Sequence, residues 1–197
     1  MGFLSHQDGP LSRDGAVAEE GAAPSTPAGG LSPDAFRQAF RTHPAGVAVI
    51  TADDGNGPVG LTATSVFSVS AEPPLFAFSL SSASTTAQAI ANAGTVVIHL
   101  LGVEQRHVAQ IFSTRGVDRF ADTTLWDRLP GGEPYLVDAP VRVLGRVVEQ
   151  LRMQVGGAIV IACHALDAHV SLSQEHAPLV YHDRAWHRID VKSRLPE

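Results

Sequence analysis

The stretch PVGLTATSVFSVSAEPPLFAFSL, residues 58–80, decides the fold of this chain. Side chains of a β-strand alternate between two faces, so every second residue shares a face. Over residues 59–70 one face is mostly apolar, and the other consists of Thr62, Thr64, Val66, Ser68 and Ser70. We therefore predict a single strand over 59–70 that packs one face and presents a row of hydroxyls on the other. After a Pro-Pro turn, residues 75–80 predict the next strand.

Similar short β-rich runs make up most of the chain beyond this stretch. They cover residues 46–52, 95–101, 141–153, 158–170, 178–182 and 185–189. Helical spacing is limited to residues 33–43, 85–92 and 103–113, the first of them opened by the N-cap pattern Ser32-Pro33-Asp34. The absence of a regular alternation of strand and helix argues against a parallel doubly wound sheet. The pattern predicts a mainly β protein, an antiparallel barrel with a few peripheral helices.

The composition and net charge of the chain argue against several classes of protein. The 197 residues are 44% hydrophobic and 17% charged, with a net charge of −6. This balance argues against a nucleic-acid or anionic-membrane binder, and no apolar run is long enough for a membrane span. A single cysteine, Cys163, and an N-terminal sequence without a secretion signal are typical of a cytoplasmic protein.

We expect a disordered N-terminal tail over residues 1–30, a folded domain over 31–192 and a C-terminal tail over 193–197.

A serine-rich loop, SSASTT at residues 81–86, opens the second predicted helix. Hydroxyls and free N–H groups at a helix start favour an anion, because the helix dipole and the unpaired donors act together. Beside a strand of Thr and Ser, this arrangement suits a phosphorylated planar cofactor. The alternative is a helix simply capped by Ser84 beside an ordinary threonine-rich strand.

Five motifs together resemble one known family. These are the 58–80 stretch, Ser-x-x-Ser-Thr-Thr at 81–86, Ile-Phe-Ser at 111–113, Asp-Arg-Phe at 118–120 and PLVYH at 178–182. Their order and spacing over roughly residues 34–190 are similar to the short-chain flavin reductases, the reductase components of two-component flavin-dependent monooxygenases. The resemblance implies a homodimeric FMN-binding split β-barrel that binds FMN or FAD and reduces it with NADH or NADPH. The reduced flavin would pass to a separate monooxygenase component.

The resemblance also carries the family's cofactor contacts onto positions of this chain. Expected at the flavin are Pro58, Val59, Gly60, Leu61, Thr62, Thr64, Ser65, Ser79, Leu80, Ser81, Thr85, Thr86, Ile111 and Phe112. Among these, Thr85 and Thr86 match positions that hold the phosphate. No base stands beside them where many relatives have one, so the phosphate is left to hydroxyls and amides. Arg119, in the Asp-Arg-Phe motif, is expected at the rim of the site, where it would guide an anionic flavin or nucleotide.

The hydride donor is expected at a second group of positions, where the chain departs from the family. Residues Tyr181, His182, Asp183 and Arg184 match contacts to the nicotinamide nucleotide, although they also suit an ordinary surface hairpin turn. Gly157 stands where the family has the histidine of a Gly-Asp-His motif, because this chain reads Val155-Gly156-Gly157. Hydride transfer between two cofactors needs no general acid, so we assign no catalytic side chain.

The loss of the family histidine at Gly157 leaves the activity of the protein open. Loss of one orienting residue would cost on the order of 10- to 100-fold in rate, about 1.4–2.8 kcal/mol. Alternatively, the protein is a non-catalytic flavin-binding or flavin-carrier protein on the same barrel. A weaker third possibility is an oxidase or oxygenase that uses its own bound flavin. The scattered histidines predict no metal site, and His99, in an apolar strand, is interpreted as a buried, hydrogen-bonded histidine.

Overall fold

The computed structural model describes residues 29–153, 156–171 and 176–196. The predicted tail over residues 1–30 therefore lies almost entirely outside the described residues, as does Val155. The three α-helices within this part are α1 (Pro33–Arg41), α2 (Thr85–Asn92) and α3 (Arg106–Ser113). The strands are β1 (Ala45–Gly46), β2 (Ala48–Asp53), β3 (Pro58–Ala63), β4 (Phe67–Ala71), β5 (Pro74–Ser81), β6 (Thr95–Leu100), β7 (Trp126–Arg128), β8 (Pro134–Leu136), β9 (Val141–Arg152), β10 (Ala158–Val170), β11 (Leu179–His182) and β12 (Ala185–Arg188). Short 3₁₀ helices cover Val103–Gln105 and Val191–Ser193.

Helices α1 and α2 begin at the serine caps that the sequence predicts. The Ser32 hydroxyl accepts a hydrogen bond from the Ala35 N–H before α1, and Ser84 does the same for Ala87 before α2. Both caps satisfy a backbone donor that the first helical turn leaves free. The predicted mainly β architecture with a few helices is confirmed. Within the described residues, none of the helices is long and apolar enough to cross a membrane.

Seven strands form one antiparallel sheet in the order β3-β2-β6-β9-β10-β5-β4. Its two edge strands, β3 and β4, are consecutive in the chain and are separated only by residues 64–66. A flat sheet of seven strands would hold its edges about 29 Å apart, whereas the four Cα–Cα steps from Ala63 to Phe67 span at most about 15 Å. The sheet therefore has to curl until its edges approach each other, as in a split barrel.

The expected single strand over residues 59–70 is wrong. The chain breaks at Thr64–Val66, and its two halves lie on opposite edges of the sheet. At the break, the Ser65 hydroxyl donates to the Ser79 carbonyl and accepts from the Ser79 N–H, at 2.9 and 3.2 Å. The Ser65 side chain thus satisfies both backbone groups of Ser79, a residue of β5, as a neighbouring strand would. The predicted row of hydroxyls is thus divided between β3 and β4.

Strand β2 separates two hydrophobic clusters and is buried on both faces. Ile50 and Ala52 belong to the cluster inside the curled sheet, which includes Phe78 and the α2 residue Ile90. Val49 points to the opposite face of β2 and belongs to the second cluster, which lies under α3 and also contains Leu101, Ala109, Phe112 and Leu179. Helices α2 and α3 are therefore fixed against the sheet from two sides, and their termini meet near β3.

His99 on β6 is fully buried and is held by two backbone hydrogen bonds. Its Nδ1 lies 3.0 Å from the Val49 carbonyl, and its Nε2 lies 3.0 Å from the Leu136 N–H. Because a carbonyl only accepts and an N–H only donates, Nδ1 carries the proton and Nε2 accepts. Burial, and secondarily the positive charge of Arg142, lower the pKa of His99 from 6.5 to about 4. The interpretation of His99 as a satisfied core histidine is confirmed.

Because His99 is buried in its neutral form, the free energy of unfolding depends on pH. Between pH 6.5 and about 4 the unfolded chain takes up a proton at His99 that the folded chain does not. Its contribution is therefore complete above pH 6.5 and is lost as the pH falls towards 4, by up to about 3 kcal/mol. Urea unfolding at pH 7, 5.5 and 4.5 measures this decline. A His99→Gln variant, which cannot titrate there, should show a shallower decline; an identical slope would contradict the assignment.

Candidate flavin site

A cleft of about 720 Å³ opens where β3, the start of α2 and the end of α3 come together. Its walls are Leu61, Thr62, Ser81, Ala83, Ser84, Thr85, Thr86, Phe112, Ser113, Arg115, Gly116, Val117 and Arg119. The structure thus brings together Leu61, Thr62, Ser81, Thr85, Thr86 and Phe112 from the expected flavin positions. Hydroxyl groups, two arginines and two large apolar side chains share one surface, which suits a ligand with a phosphate and an apolar ring.

Arg119 is the best-anchored charged side chain of this cleft. Its Nη1 donates to the Gly60 carbonyl at 2.9 Å and to the Thr86 hydroxyl at 3.2 Å, and its Nη2 donates to the Thr114 carbonyl at 2.8 Å. Partial burial lowers the pKa of the guanidinium. In the part of the chain that the structure describes, Arg119 forms no ion pair with a carboxylate, and its buried Nε has no hydrogen-bond partner.

These contacts test whether a phosphorylated flavin fits the residues present. A guanidinium that is partly desolvated and lacks a counter-ion is favourably placed for a phosphate, whose oxygens accept charge-assisted hydrogen bonds. Thr85 and Thr86 lie beside it at the start of α2, where the helix dipole also favours negative charge. The donor set of the cleft therefore fits a phosphate group.

The expectation that no base accompanies the two threonines is wrong. Arg115 and Arg119 reach the cleft from the segment after α3, although Arg119 is 33 residues from Thr86 in the chain. Sequence reasoning placed Arg119 only at the rim, named Ser84 only as a helix cap and Ser113 only as part of a motif, and missed Arg115. Arg115-Gly116, directly after a helix, was the available signal for Arg115, because a turn at that point redirects an arginine across the helix end.

Some polar groups of the expected flavin wall are occupied by the protein itself. The Thr62 hydroxyl donates to the Ala109 carbonyl of α3 at 2.7 Å. A Cβ at Gly60 would lie only 2.7 Å from the Phe112 ring, so the glycine lets α3 approach β3 closely. Thr62 holds α3 against β3 by its hydrogen bond, and Gly60 allows the close packing, so both residues shape the cleft.

Other expected flavin positions lie outside the lining of this cleft. Leu80 is buried in the core, and Val59 is half-buried against it. Pro58 begins β3, opposite Asp53 of β2, and Ser65 and Ser79 bond to each other. Ile111 and Arg119 both line a neighbouring cleft of about 520 Å³. Thr64 lines a third cleft, between α1 and the β11–β12 hairpin. Their predicted contacts to flavin stay predictions.

The expected nicotinamide residues are brought together only in part. Tyr181, His182, Asp183 and Arg184 line a cleft of about 360 Å³ between α1 and the β11–β12 hairpin, and Thr64 lines the same cleft. Gly157 is not among its lining residues. It lies instead in the β9–β10 connection, where its carbonyl accepts hydrogen bonds from the N–H and the hydroxyl of Ser82, each at 2.8 Å. Gly157 is therefore attached to the serine-rich loop beside the flavin cleft.

Gly156 and Gly157 both have positive φ angles, 83° and 60°. This left-handed conformation is easy for glycine and unfavourable for residues with a Cβ. A Cβ at Gly157 would also lie 3.1 Å from the Ser82 hydroxyl. The family histidine is thus replaced by a backbone connection that a histidine would disturb.

Restoring the family residue should consequently fail to restore its role. We expect Gly157→His to destabilise the protein by about 1–2 kcal/mol, from the left-handed backbone and the crowded Ser82 hydroxyl, without improving kcat/KM for the nicotinamide donor. Thermal unfolding together with steady-state kinetics measures both effects. Gly132→His, at a positive φ of 95° with nothing within 4 Å of its Cβ and outside the flavin cleft, is the matched control for the backbone cost. A rise of kcat/KM in Gly157→His would contradict this view.

A cleft that combines arginines and hydroxyl groups with a helix start is the kind of site that binds a phosphorylated cofactor. The chain belongs to the flavin reductase-like family, because the model of the flavin reductase like domain matches residues 40–190. The resemblance drawn from the five motifs is thereby confirmed.

Individual relatives agree with this assignment. The NADH:FMN oxidoreductase of Rhodococcus erythropolis is 42% identical over 174 residues, which cover 87% of this chain and 89% of the relative. The crystal structure of a flavin reductase domain protein from Arthrobacter sp. FB24 has 33% identity and a TM-score of 0.73, over 79% of this chain and 94% of that one. Nitrilotriacetate monooxygenase component B from Mycobacterium thermoresistibile, at 24% identity, shares the fold with a TM-score of 0.74, over 82% of this chain and 89% of that one.

Proposed function

We propose that this protein is an NAD(P)H:flavin oxidoreductase that supplies reduced FMN or FAD to a separate monooxygenase component. The observation that carries the proposal is the cleft in which Arg119, without a carboxylate partner among the described residues, lies against Thr86 and the edge of β3. The relative from Rhodococcus erythropolis is named for NADH and FMN, which supports the same pair of cofactors here.

The residues of the cleft divide the work of holding a flavin. Thr85, Thr86, Arg115 and Arg119 would hold the phosphate, while Leu61 and Phe112 offer apolar contact to the ring system. A bound flavin supplies a ring that accepts a hydride from the nicotinamide. The protein has to position the two partners and exclude competing reactions, and it needs no general acid for the transfer.

Thiol chemistry does not compete with this assignment. Cys163 is fully buried in the core, and burial raises the pKa of its thiol to about 12. A thiol that stays protonated and inaccessible is inert towards substrates.

A non-catalytic flavin carrier is the second candidate, because Gly156-Gly157 removes the histidine that the family places near the nicotinamide. It is the weaker one, because the Rhodococcus relative, which covers most of this chain, is named as an oxidoreductase.

We further propose that the protein works as a homodimer in the cytoplasm. Strand β4 lies at an edge of the sheet and carries the exposed side chains Phe67 and Val69. An apolar edge of this kind is a liability in a monomer and is normally covered. A second copy of the chain would cover it.

One assay tests the proposed activity against the carrier alternative. The purified protein is mixed with NADH or NADPH and with free FMN or FAD, and nicotinamide oxidation is followed by absorbance. We expect turnover above the flavin-only blank in at least one of the four combinations. Flavin binding without turnover in all four would support the carrier instead, and sedimentation of the same sample reports the oligomeric state.

A further inference from the structure

The serine-rich loop between β5 and α2, residues 81–86, is attached to the β9–β10 connection through Ser82. The Ser82 N–H and the Ser82 hydroxyl both donate to the Gly157 carbonyl, each at 2.8 Å. These bonds continue the pairing of β5 with β10, in which Ser81 lies opposite Ala158. A carbonyl oxygen has two lone pairs, so the two donors use its full capacity as an acceptor.

The carbonyl group of Ser82 is bound in turn to α2. It accepts a hydrogen bond at 2.8 Å from Nε2 of Gln88, a residue on the exposed side of that helix. The N–H, the hydroxyl and the carbonyl of Ser82 are thus all bonded within the protein. Of the six described residues 81–86, Ser82 alone does not line the flavin cleft. Its contacts therefore fix the course of the loop and do not reach a ligand directly.

The groups that the loop offers to a ligand lie at the start of α2. The Thr86 hydroxyl accepts from Arg119 at 3.2 Å, which leaves its hydrogen for an acceptor in the cleft. Within the described part of the chain, the Thr85 hydroxyl has no hydrogen-bond partner. Where these two hydroxyls lie relative to Arg119 depends on the course of residues 81–84 from β5 into the helix.

The acceptor of the Ser82 bonds stands at the position where the chain departs from the family pattern. The family has a histidine there, whereas this chain has Gly157. A Cβ at 157 would lie 3.1 Å from the Ser82 hydroxyl, and the φ angle of 60° is left-handed, so the contact in this form requires glycine. The departure at 157 thus coincides with a backbone contact to the loop of the flavin cleft.

We propose that Ser82, held by the Gly157 carbonyl and by Gln88, is a positioning residue for the flavin phosphate. It keeps the loop in the conformation in which Thr85 and Thr86 face the phosphate beside Arg119. A loop that is ordered before binding holds its ligand more tightly, because its conformational entropy is lost on folding and not on binding. The inference rests on the proposed function, since it assumes that the cleft holds a flavin phosphate.

The test compares FMN with riboflavin, which lacks the phosphate, in a Ser82→Ala variant. We expect the Kd for FMN to rise about 2- to 10-fold, the range for one hydrogen bond, and the Kd for riboflavin to stay unchanged. Quenching of flavin fluorescence without nicotinamide measures both values. Gln88→Met, which keeps the length of the side chain but removes the donor, should act in the same direction.

Two further variants serve as controls for the hydroxyl. Ser82→Thr keeps the hydroxyl and should retain the wild-type Kd for FMN. Ser193→Ala removes a hydroxyl that accepts from the Asp190 N–H at 3.2 Å, outside the flavin cleft, and should change neither affinity.

A double-mutant cycle tests whether Ser82 and Gly157 act through the same contact. Gly157→Ala should weaken FMN binding in the wild-type background and should do so by a smaller factor in the Ser82→Ala background. Gly132→Ala, at a φ of 95° with nothing within 4 Å of its Cβ, measures the backbone effect alone and should leave the Kd for FMN unchanged. Equal factors in the two backgrounds would refute the proposed contact.

The remaining outcomes separate the inference from the proposed function. Equal losses of FMN and riboflavin affinity in Ser82→Ala would assign the residue to structure alone. Unchanged FMN affinity in Ser82→Ala and Gln88→Met would overturn the inference, as would a loss in Ser82→Thr as large as in Ser82→Ala. It would also fall if the wild type bound FMN no more tightly than riboflavin. A wild type that prefers FMN and depends on Ser82 as expected, but oxidises neither NADH nor NADPH, would contradict the proposed activity alone.

Discussion

Replacing Arg119 by glutamine should raise the Kd for FMN by about 10- to 100-fold and leave the Kd for riboflavin nearly unchanged. A hydrogen bond to a charged group contributes about 1.5–3 kcal/mol, and riboflavin has no phosphate with which to make it. Arg119 lies against Thr86 at the start of α2, so the lost interaction would be local to the phosphate. Quenching of flavin fluorescence on titration measures both affinities.

Arg119 also holds the structure around the cleft together, so the comparison needs a control for folding. Its guanidinium joins the Gly60 and Thr114 carbonyls, and Arg119→Gln is expected to lower the melting temperature by a few degrees. Arg106→Gln removes an equal charge from an exposed part of α3 and should change neither affinity. An equal loss of FMN and riboflavin binding in Arg119→Gln would assign the residue to structure alone. An unchanged Kd for FMN would remove it from the phosphate site.

Replacing His99 by alanine should destabilise the fold by about 3–5 kcal/mol. The substitution leaves the buried Leu136 N–H without its acceptor, at about 1–3 kcal/mol, removes the ring's hydrogen bond to the Val49 carbonyl, and opens a cavity between β6 and β8. For a domain of this size the melting temperature would fall by about 10 °C. Denaturant unfolding at pH 7 gives the free energy directly.

An exposed histidine provides the control for His99. His187 on β12 is exposed and has one hydrogen-bond contact, to the His182 carbonyl at 3.2 Å. His187→Ala is expected to change the free energy of unfolding by about 0.5 kcal/mol or less. Similar losses in the two variants would show that the buried network at His99 contributes little.

Local patterns in the sequence predicted most of the secondary structure. The caps at Ser32 and Ser84 act through residues three positions away, and the alternation within each short strand concerns residues two positions apart. Such neighbours are fixed by the chain itself, so helix starts and strands can be read without knowledge of the fold. The same reasoning failed at Thr64–Val66, because a strand pattern gives no sign that its two halves will lie on opposite edges of a curled sheet.

The sequence by itself therefore determined a mainly antiparallel β protein, its helix starts, and the threonine pair that opens α2. Only the tertiary structure placed Arg115 and Arg119 beside that pair, since their approach depends on how closely α3 packs against β3. That distance is set by the missing side chain of Gly60 under the Phe112 ring and by the Thr62 hydroxyl on the Ala109 carbonyl. Contacts between residues so far apart in the chain arise from packing, which no local pattern encodes.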